Sequence, residues 1–239
     1  MTVSRLERLR AQPLYLIATL PPGLAGPAAP EAGDWLDRVA AAVEAGLGLV
    51  QLRAKASDTA GRRAWLAALR ARLPAETLLV VNDDLDALGA PDGAMLADGV
   101  HLGRDDARAL AGGDLAAGLR AARERLGPDL LLGTSTRTLE EVTAAVEAGC
   151  DHVGFGAMSA SPTKQDTTRA DPAELARCAA AHPALPLYPI GGLGPDTVAV
   201  LDGTGVRRAA VGSAVLDADD PARVVAQLMD WARGVGPQM

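Results

Sequence analysis

Five short strings hold most of the residues in this chain that could do chemistry. They are Gln51-Leu52-Arg53-Ala54-Lys55, Asn82-Asp83-Asp84, His101-Leu102-Gly103-Arg104-Asp105-Asp106, Ser161-Pro162-Thr163-Lys164-Gln165-Asp166, and Gly191-Gly192 with Gly212-Ser213. Gln51, Arg53 and Lys55 alternate, so on a strand they share one face while Leu52 and Ala54 share the other. Cations gathered in that way must be met by an anion or a carboxylate. On one reading the partner is a bound substrate; on the other it is an Asp of a neighbouring strand. Asp83 and Asp106 follow adjacent strands ~4.8 Å apart and can reach one cation. Two carboxylates completed by substrate oxygens and water are a usual Mg2+ arrangement. Capping of a helix is the competing use of this acidic cluster, and it suits Asp84.

Ser161, Thr163 and Lys164 combine hydroxyls with an ammonium. That is an anion clamp on a loop long enough to close as a lid; a solvated surface loop is the alternative. Gly191-Gly192 and Gly212-Ser213 lack the Cβ that would keep a phosphate oxygen away from the backbone. Together the strings suit a diphosphate, a divalent metal and a monophosphate. His101 lies in an apolar run and reads first as a hydrogen-bonded core residue. His152 and His182 receive no role.

These residues need a scaffold, and the apolar pattern supplies one. Strand-like runs cover Leu14–Ala18, Leu47–Leu52, Thr77–Asn82, Gly99–Leu102, Leu130–Gly133, His152–Gly156, Leu187–Ile190 and Ala209–Gly212. Helical stretches cover Asp34–Ala45, Thr59–Arg72, Leu85–Leu88, Leu115–Arg125, Leu139–Ala148, Pro172–Ala181, Pro195–Leu201 and Pro221–Ala232. Thr138 and Glu141 have capping-box spacing, and Pro172 and Pro195 suit first helical positions. Strict alternation implies a parallel sheet, and eight units imply a single (β/α)8 TIM barrel. One domain over 1–239 is expected, with 1–12 a short N-terminal extension. A Rossmann sheet is the competitor, but no G-x-G-x-x-G follows the first strand. In such barrels the site is built at the carboxyl ends of the strands. All five strings fall at or just after those ends.

Composition agrees. A chain of 239 residues suits one barrel, and with one Phe and two Tyr its core must rest on Ala, Leu and Val. A net charge of −7 argues against a nonspecific nucleic-acid partner but leaves small anionic substrates open. Cys150 and Cys178, far from any His/Cys cluster, suggest neither zinc nor a disulfide framework. The charged start of the chain is no signal peptide, and no apolar run reaches membrane length. A cytoplasmic protein without a membrane partner is expected.

In this order, Q-L-R-x-K, N-D-D, A-D-G-V-H-L-G, T-K-x-D and I-G-G resemble thiamine-phosphate synthase, over about Tyr15 to Pro221. The resemblance implies a transferase that joins 4-amino-5-hydroxymethyl-2-methylpyrimidine diphosphate to 4-methyl-5-(2-phosphoethyl)thiazole, or its carboxylated form, releasing diphosphate. Gln51, Arg53, Lys55, Asn82, Ser135 and Lys164 would hold the diphosphate substrate. Asp83 and Asp106 would ligate Mg2+, and Ser161, Thr163, Gly192, Gly212 and Ser213 would hold the thiazole phosphate. The catalytic contacts would fall to Lys55, Ser135 and Lys164. A homo-oligomer is an expectation of the resemblance alone.

Some positions depart from the family pattern. Ala54 replaces the usual Glu and Arg104 the usual Gln. The usual G-P-[IV]-F-P-T-x-T-K reads Gly156-Ala157-Met158-Ser159-Ala160-Ser161-Pro162-Thr163-Lys164. The long Asp106–Ser135 segment is expected to extend a helix away from the site. Two rivals remain: a thiazole tautomerase on the same barrel, whose base position is Ala157 here, and a non-catalytic phosphate-ligand sensor.

Overall fold

In the computed structural model the described residues are 3–158 and 169–235. Ser161, Thr163 and Lys164 therefore lie outside them. Eight strands run β1 (Leu14–Thr19), β2 (Leu49–Arg53), β3 (Leu78–Asn82), β4 (Gly99–Leu102), β5 (Leu131–Thr136), β6 (His152–Gly156), β7 (Leu187–Ile190) and β8 (Ala209–Val211). Every pairing is parallel, in the order β7-β6-β5-β4-β3-β2-β1-β8. β7 and β8 lie side by side without a ladder, so the barrel is closed by one loose seam.

The helices are α1 (Arg5–Ala11), α2 (Ala32–Glu44), α3 (Thr59–Arg72), α4 (Arg104–Ala109), α5 (Leu115–Leu126), α6 (Leu139–Glu147), α7 (Pro172–Ala181), α8 (Ser213–Leu216) and α9 (Pro221–Ala232). They cover the outside, because each parallel strand needs a crossover before the next. Strand parity then divides the core. Leu16, Leu52, Val81, Val100, Leu132 and Phe155 face outward to the helices. Tyr15, Leu49, Leu78, Val80, Leu131, Tyr188 and Ala210 face inward, joined by Leu9 of α1.

α1 seals the lower end. Asp98, just before β4, accepts from Arg5 Nε at 2.8 Å and Leu79 N at 2.9 Å, and it pairs with Arg70. Tyr188 Oη donates to the Gln12 carbonyl at 2.9 Å. Burial works to raise the Asp98 pKa, but the Leu79 N–H and the Arg70 and Arg5 guanidinium groups outweigh it and hold the carboxyl below its ordinary range.

Four expectations need correction. Pro195–Leu201 contains only a 3-10 turn, Val198–Leu201. Thr197 Oγ1 accepts from Gly194 N at 2.9 Å and donates to the Gly192 carbonyl at 2.7 Å, turning the chain where a helix would begin. Leu85–Leu88 is likewise a 3-10 turn, capped by Asp84. Thr138 caps α6 by accepting from Glu141 N at 3.2 Å, but the Glu141 carboxylate accepts from Arg137 N at 2.7 Å instead of completing the box. The Asp106–Ser135 segment is no extended helix: Gly112 (φ 61°) and Gly113 (φ 108°) turn the chain between α4 and α5.

Candidate active site

The inward parity of each strand determines what reaches the barrel mouth. On β2, Gln51 is buried and Arg53 half-buried, while Leu52 and Ala54 pack outward. Ala54 thus occupies the helix-facing layer, and its departure from Glu leaves the mouth's charge untouched. Gln51 Nε2 donates to Tyr15 Oη at 2.7 Å. Burial lowers the pKa of Arg53, against the attraction of Asp83. Lys55 is exposed at the rim. Among the described residues, no carboxylate lies within 4 Å of either cation, although Asp83 attracts Arg53 and Lys55 acts on Asp106 from farther off.

Asp83 and Asp106 come together at Gly103. Asp83 takes the left-handed region (φ 61°), which brings its carboxylate back toward β4. Its Oδ1 accepts from Gly103 N at 2.7 Å, and its Oδ2 accepts from Asn82 Nδ2. Gly103 caps α4, so Asp106 lies in the first turn of that helix. A Cβ on Gly103 would stand 2.7 Å from Asp106 Oδ2 and 3.3 Å from Asp83 Oδ1, so both carboxylates border one spot that only glycine leaves open. Burial raises the Asp106 pKa; Asp83 adds repulsion and a shared hydrogen bond, and Lys55 opposes them. Two acids held together in this way favour either a shared proton or a cation. Asp84 takes no part, because it caps the turn through Asp86 N and Ala87 N and ties it to Thr59 and Arg62 of α3.

Asn82 and Ser135 also face inward, with Ser135 Oγ 3.1 Å from His101 Nε2. His101 is buried, as its apolar setting implied, yet its partner is a candidate site residue. Gly192 (φ 61°) ends the β7 turn, and Gly212-Ser213 leads from β8 into α8. Ser213 is exposed and Gly212 half-exposed. The structure therefore collects Gln51, Arg53, Lys55, Asn82, Asp83, Asp106, Ser135, Gly192, Gly212 and Ser213 at one end of the barrel.

Several contacts and facings escaped the sequence reading. Arg104 Nη1 lies 3.1 Å from Glu141 Oε1, tying α4 to α6 beside the acidic pair. Arg137 Nε donates to the Gly156 carbonyl at 3.0 Å. Tyr15 and His152 share the inward parity of their strands, a signal that period-two counting could have found.

A family model described as thiamine monophosphate synthase matches residues 25–215. This chain belongs to that family. It is 42% identical over 206 residues to thiamine-phosphate synthase of Thiobacillus denitrificans (strain ATCC 25259 / T1), covering 83% of this chain and 88% of the relative. Identity to thiamine-phosphate synthase of Anaeromyxobacter dehalogenans (strain 2CP-C) is 37% over 230 residues, with 95% and 90% coverage. The solved thiamine phosphate pyrophosphorylase from Pyrococcus furiosus superposes with a TM-score of 0.73 at 28% identity, covering 96% of this chain and 98% of that one. Membership of the thiamine monophosphate synthase family makes the chain a transferase on a TIM barrel. Among the described residues, no helix is long and apolar enough to cross a membrane.

Proposed function

We propose that this chain joins the hydroxymethylpyrimidine diphosphate to the thiazole phosphate at the barrel mouth, where Asp83 and Asp106 would hold Mg2+. The observation that carries the metal reading is the pair of carboxylates bordering Gly103 with Arg53 and Lys55 nearby. No group of three or more His, Cys, Asp or Glu suited to a metal occurs among the described residues. Two protein ligands fit an ion that takes its remaining oxygens from diphosphate and water. When bound, Mg2+ would neutralise charge gathering on the departing diphosphate.

The chain's own residues bind and orient. Arg53 and Lys55 meet the diphosphate, Asn82 and Ser135 hydrogen-bond to the same substrate, and Gln51, fixed by Tyr15, reads the pyrimidine. Gly192, Gly212 and Ser213 offer backbone and hydroxyl donors to the thiazole phosphate; on the family resemblance, Ser161 and Thr163 would serve the same phosphate and Lys164 the diphosphate. The C–O bond to the pyrimidine methylene breaks and its electron pair leaves with diphosphate. The thiazole nitrogen then donates its pair to the methylene carbon. No protein nucleophile is needed, so catalysis rests on preorganised charge. The buried face of α1 supports treating 1–239 as one domain.

Titrating the pyrimidine diphosphate into the protein with and without Mg2+ tests this reading. Metal-dependent binding that weakens in Lys55→Ala is expected. Thiazole-phosphate binding with no response to the diphosphate would move the assignment to the tautomerase.

A further inference from the structure

Among the described residues, every half-buried arginine but two either pairs with a carboxylate or donates through an Nη nitrogen to a backbone carbonyl. The two are Arg53 and Arg137. Both stand at the carboxyl ends of strands. Arg53 ends β2 and already meets the diphosphate in the function proposed above. Arg137 follows β5 directly and has no role in that reaction.

The place of Arg137 follows from strand parity. Ser135 points into the barrel, with its Oγ 3.1 Å from His101 Nε2, while Thr134 and Thr136 alternate with it and are buried. Arg137 is the next inward residue, roughly 6–7 Å beyond Ser135 toward the mouth. Ser135 pairs with Gly154 of β6, so Arg137 comes level with Gly156. Its Nε donates to the Gly156 carbonyl at 3.0 Å. That bond orients the guanidinium plane and leaves Nη1 and Nη2 as a two-armed donor. Neither Nη is among the buried atoms that lack a partner, so both are open to solvent.

Glu141 is the acid that touches Arg137, and its oxygens are already engaged. Oε2 accepts from the Arg137 backbone N–H at 2.7 Å, and Oε1 lies 3.1 Å from Arg104 Nη1. The guanidinium charge is left for an anion from outside the chain. Its planar fork matches two phosphate oxygens.

We propose that Arg137 is a further substrate-contacting residue, whose Nη pair binds phosphate oxygens of a substrate on the β5–β6 side of the mouth. Two phosphates border this side: the diphosphate that Ser135 contacts, and the thiazole phosphate held beyond β7. The assignment rests on the function proposed above.

Calorimetric titrations of inorganic diphosphate with Mg2+, and separately of the thiazole phosphate, into the full chain test it. Arg137→Gln should weaken one of the two by about tenfold or more, the size of a lost hydrogen bond to a charged group. The other should change by less than about twofold. Loss in the first titration assigns the diphosphate to Arg137; loss in the second assigns the thiazole phosphate. Arg137→Lys keeps the charge without the fork and should show the same selectivity with a smaller loss. Unchanged affinity for both ligands in Arg137→Gln overturns the proposal. So does an equal loss for both, which is what a loosened β5–β6 contact would give. A wild type that binds neither ligand overturns the proposed function as well, whereas wild-type binding matched by Arg137→Gln removes the role of Arg137 alone.

Discussion

Asp106 shows most directly how negative charge is concentrated at the mouth. Its folded pKa lies above the unfolded value, through burial and then through Asp83. Ionising it at neutral pH therefore opposes folding, and that cost fades as pH falls through the folded pKa. A cation between the two carboxylates removes the repulsion. Mg2+ should accordingly raise Tm at neutral pH, do so less in mild acid, and have no such effect on Asp106→Asn; thermal melts across pH check this. Asp106→Asn and Lys55→Ala should each lower kcat by about 10²–10³, the usual loss for one preorganised contact to developing charge. His182→Ala should leave steady-state turnover unchanged, since its ring bonds Thr143 Oγ1 at 2.9 Å beyond the far end of α7. At this scale the sequence was partly legible. Alternation alone put Gln51 and Arg53 on one face, and the Asp83–Asp106 pairing followed from strand adjacency. The bonds from Tyr15 to Gln51 and from Arg104 to Glu141 join residues 36 and 37 positions apart, a distance that local pattern does not encode.

The elements that present these residues were readable wherever the apolar period was long. Strand β4 and helices α3, α7 and α9 match their expected spans, because continuous apolar runs and helix-face periodicity bound them on both sides. α4 and α8 were missed. Six and four residues are too few for a period to register, and Gly103 and Gly212 give no side-chain capping signal. α1 could have been found, since Ser4 and Glu7 form a complete capping box. α4 matters most, because it aims Asp106 and is tied to α6 by Arg104 and Glu141. In Arg104→Gln, loss of that half-exposed pair should cost up to about 1 kcal/mol, a fall of roughly 2–4 °C in Tm. It should weaken Mg2+ binding more than it alters thiazole-phosphate binding. Calorimetry with each ligand separates the two effects.

For the whole molecule, the barrel divides stability from chemistry between its two ends. The lower end is closed by α1 and by Asp98 with its arginines, far from the strings at the mouth. Asp98→Asn should destabilise by about 1.5–3 kcal/mol, the range for hydrogen bonds to a charged group, with little change in KM for either substrate; denaturant melts and steady-state kinetics check this. Because its folded pKa is depressed, the Asp98 contribution is present above the unfolded value of 3.8 and is lost as pH falls through the folded one. Architecture was the most legible property of all, since eight alternating apolar units leave few other closures. The measurement that bears most directly on the whole account is simultaneous quantitation of thiamine phosphate and diphosphate from the purified chain with both substrates, in Mg2+ or in EDTA. Equal formation of the two products in Mg2+, abolished by EDTA, is the predicted result. Thiazole-phosphate binding without either product, in any metal condition, would contradict it.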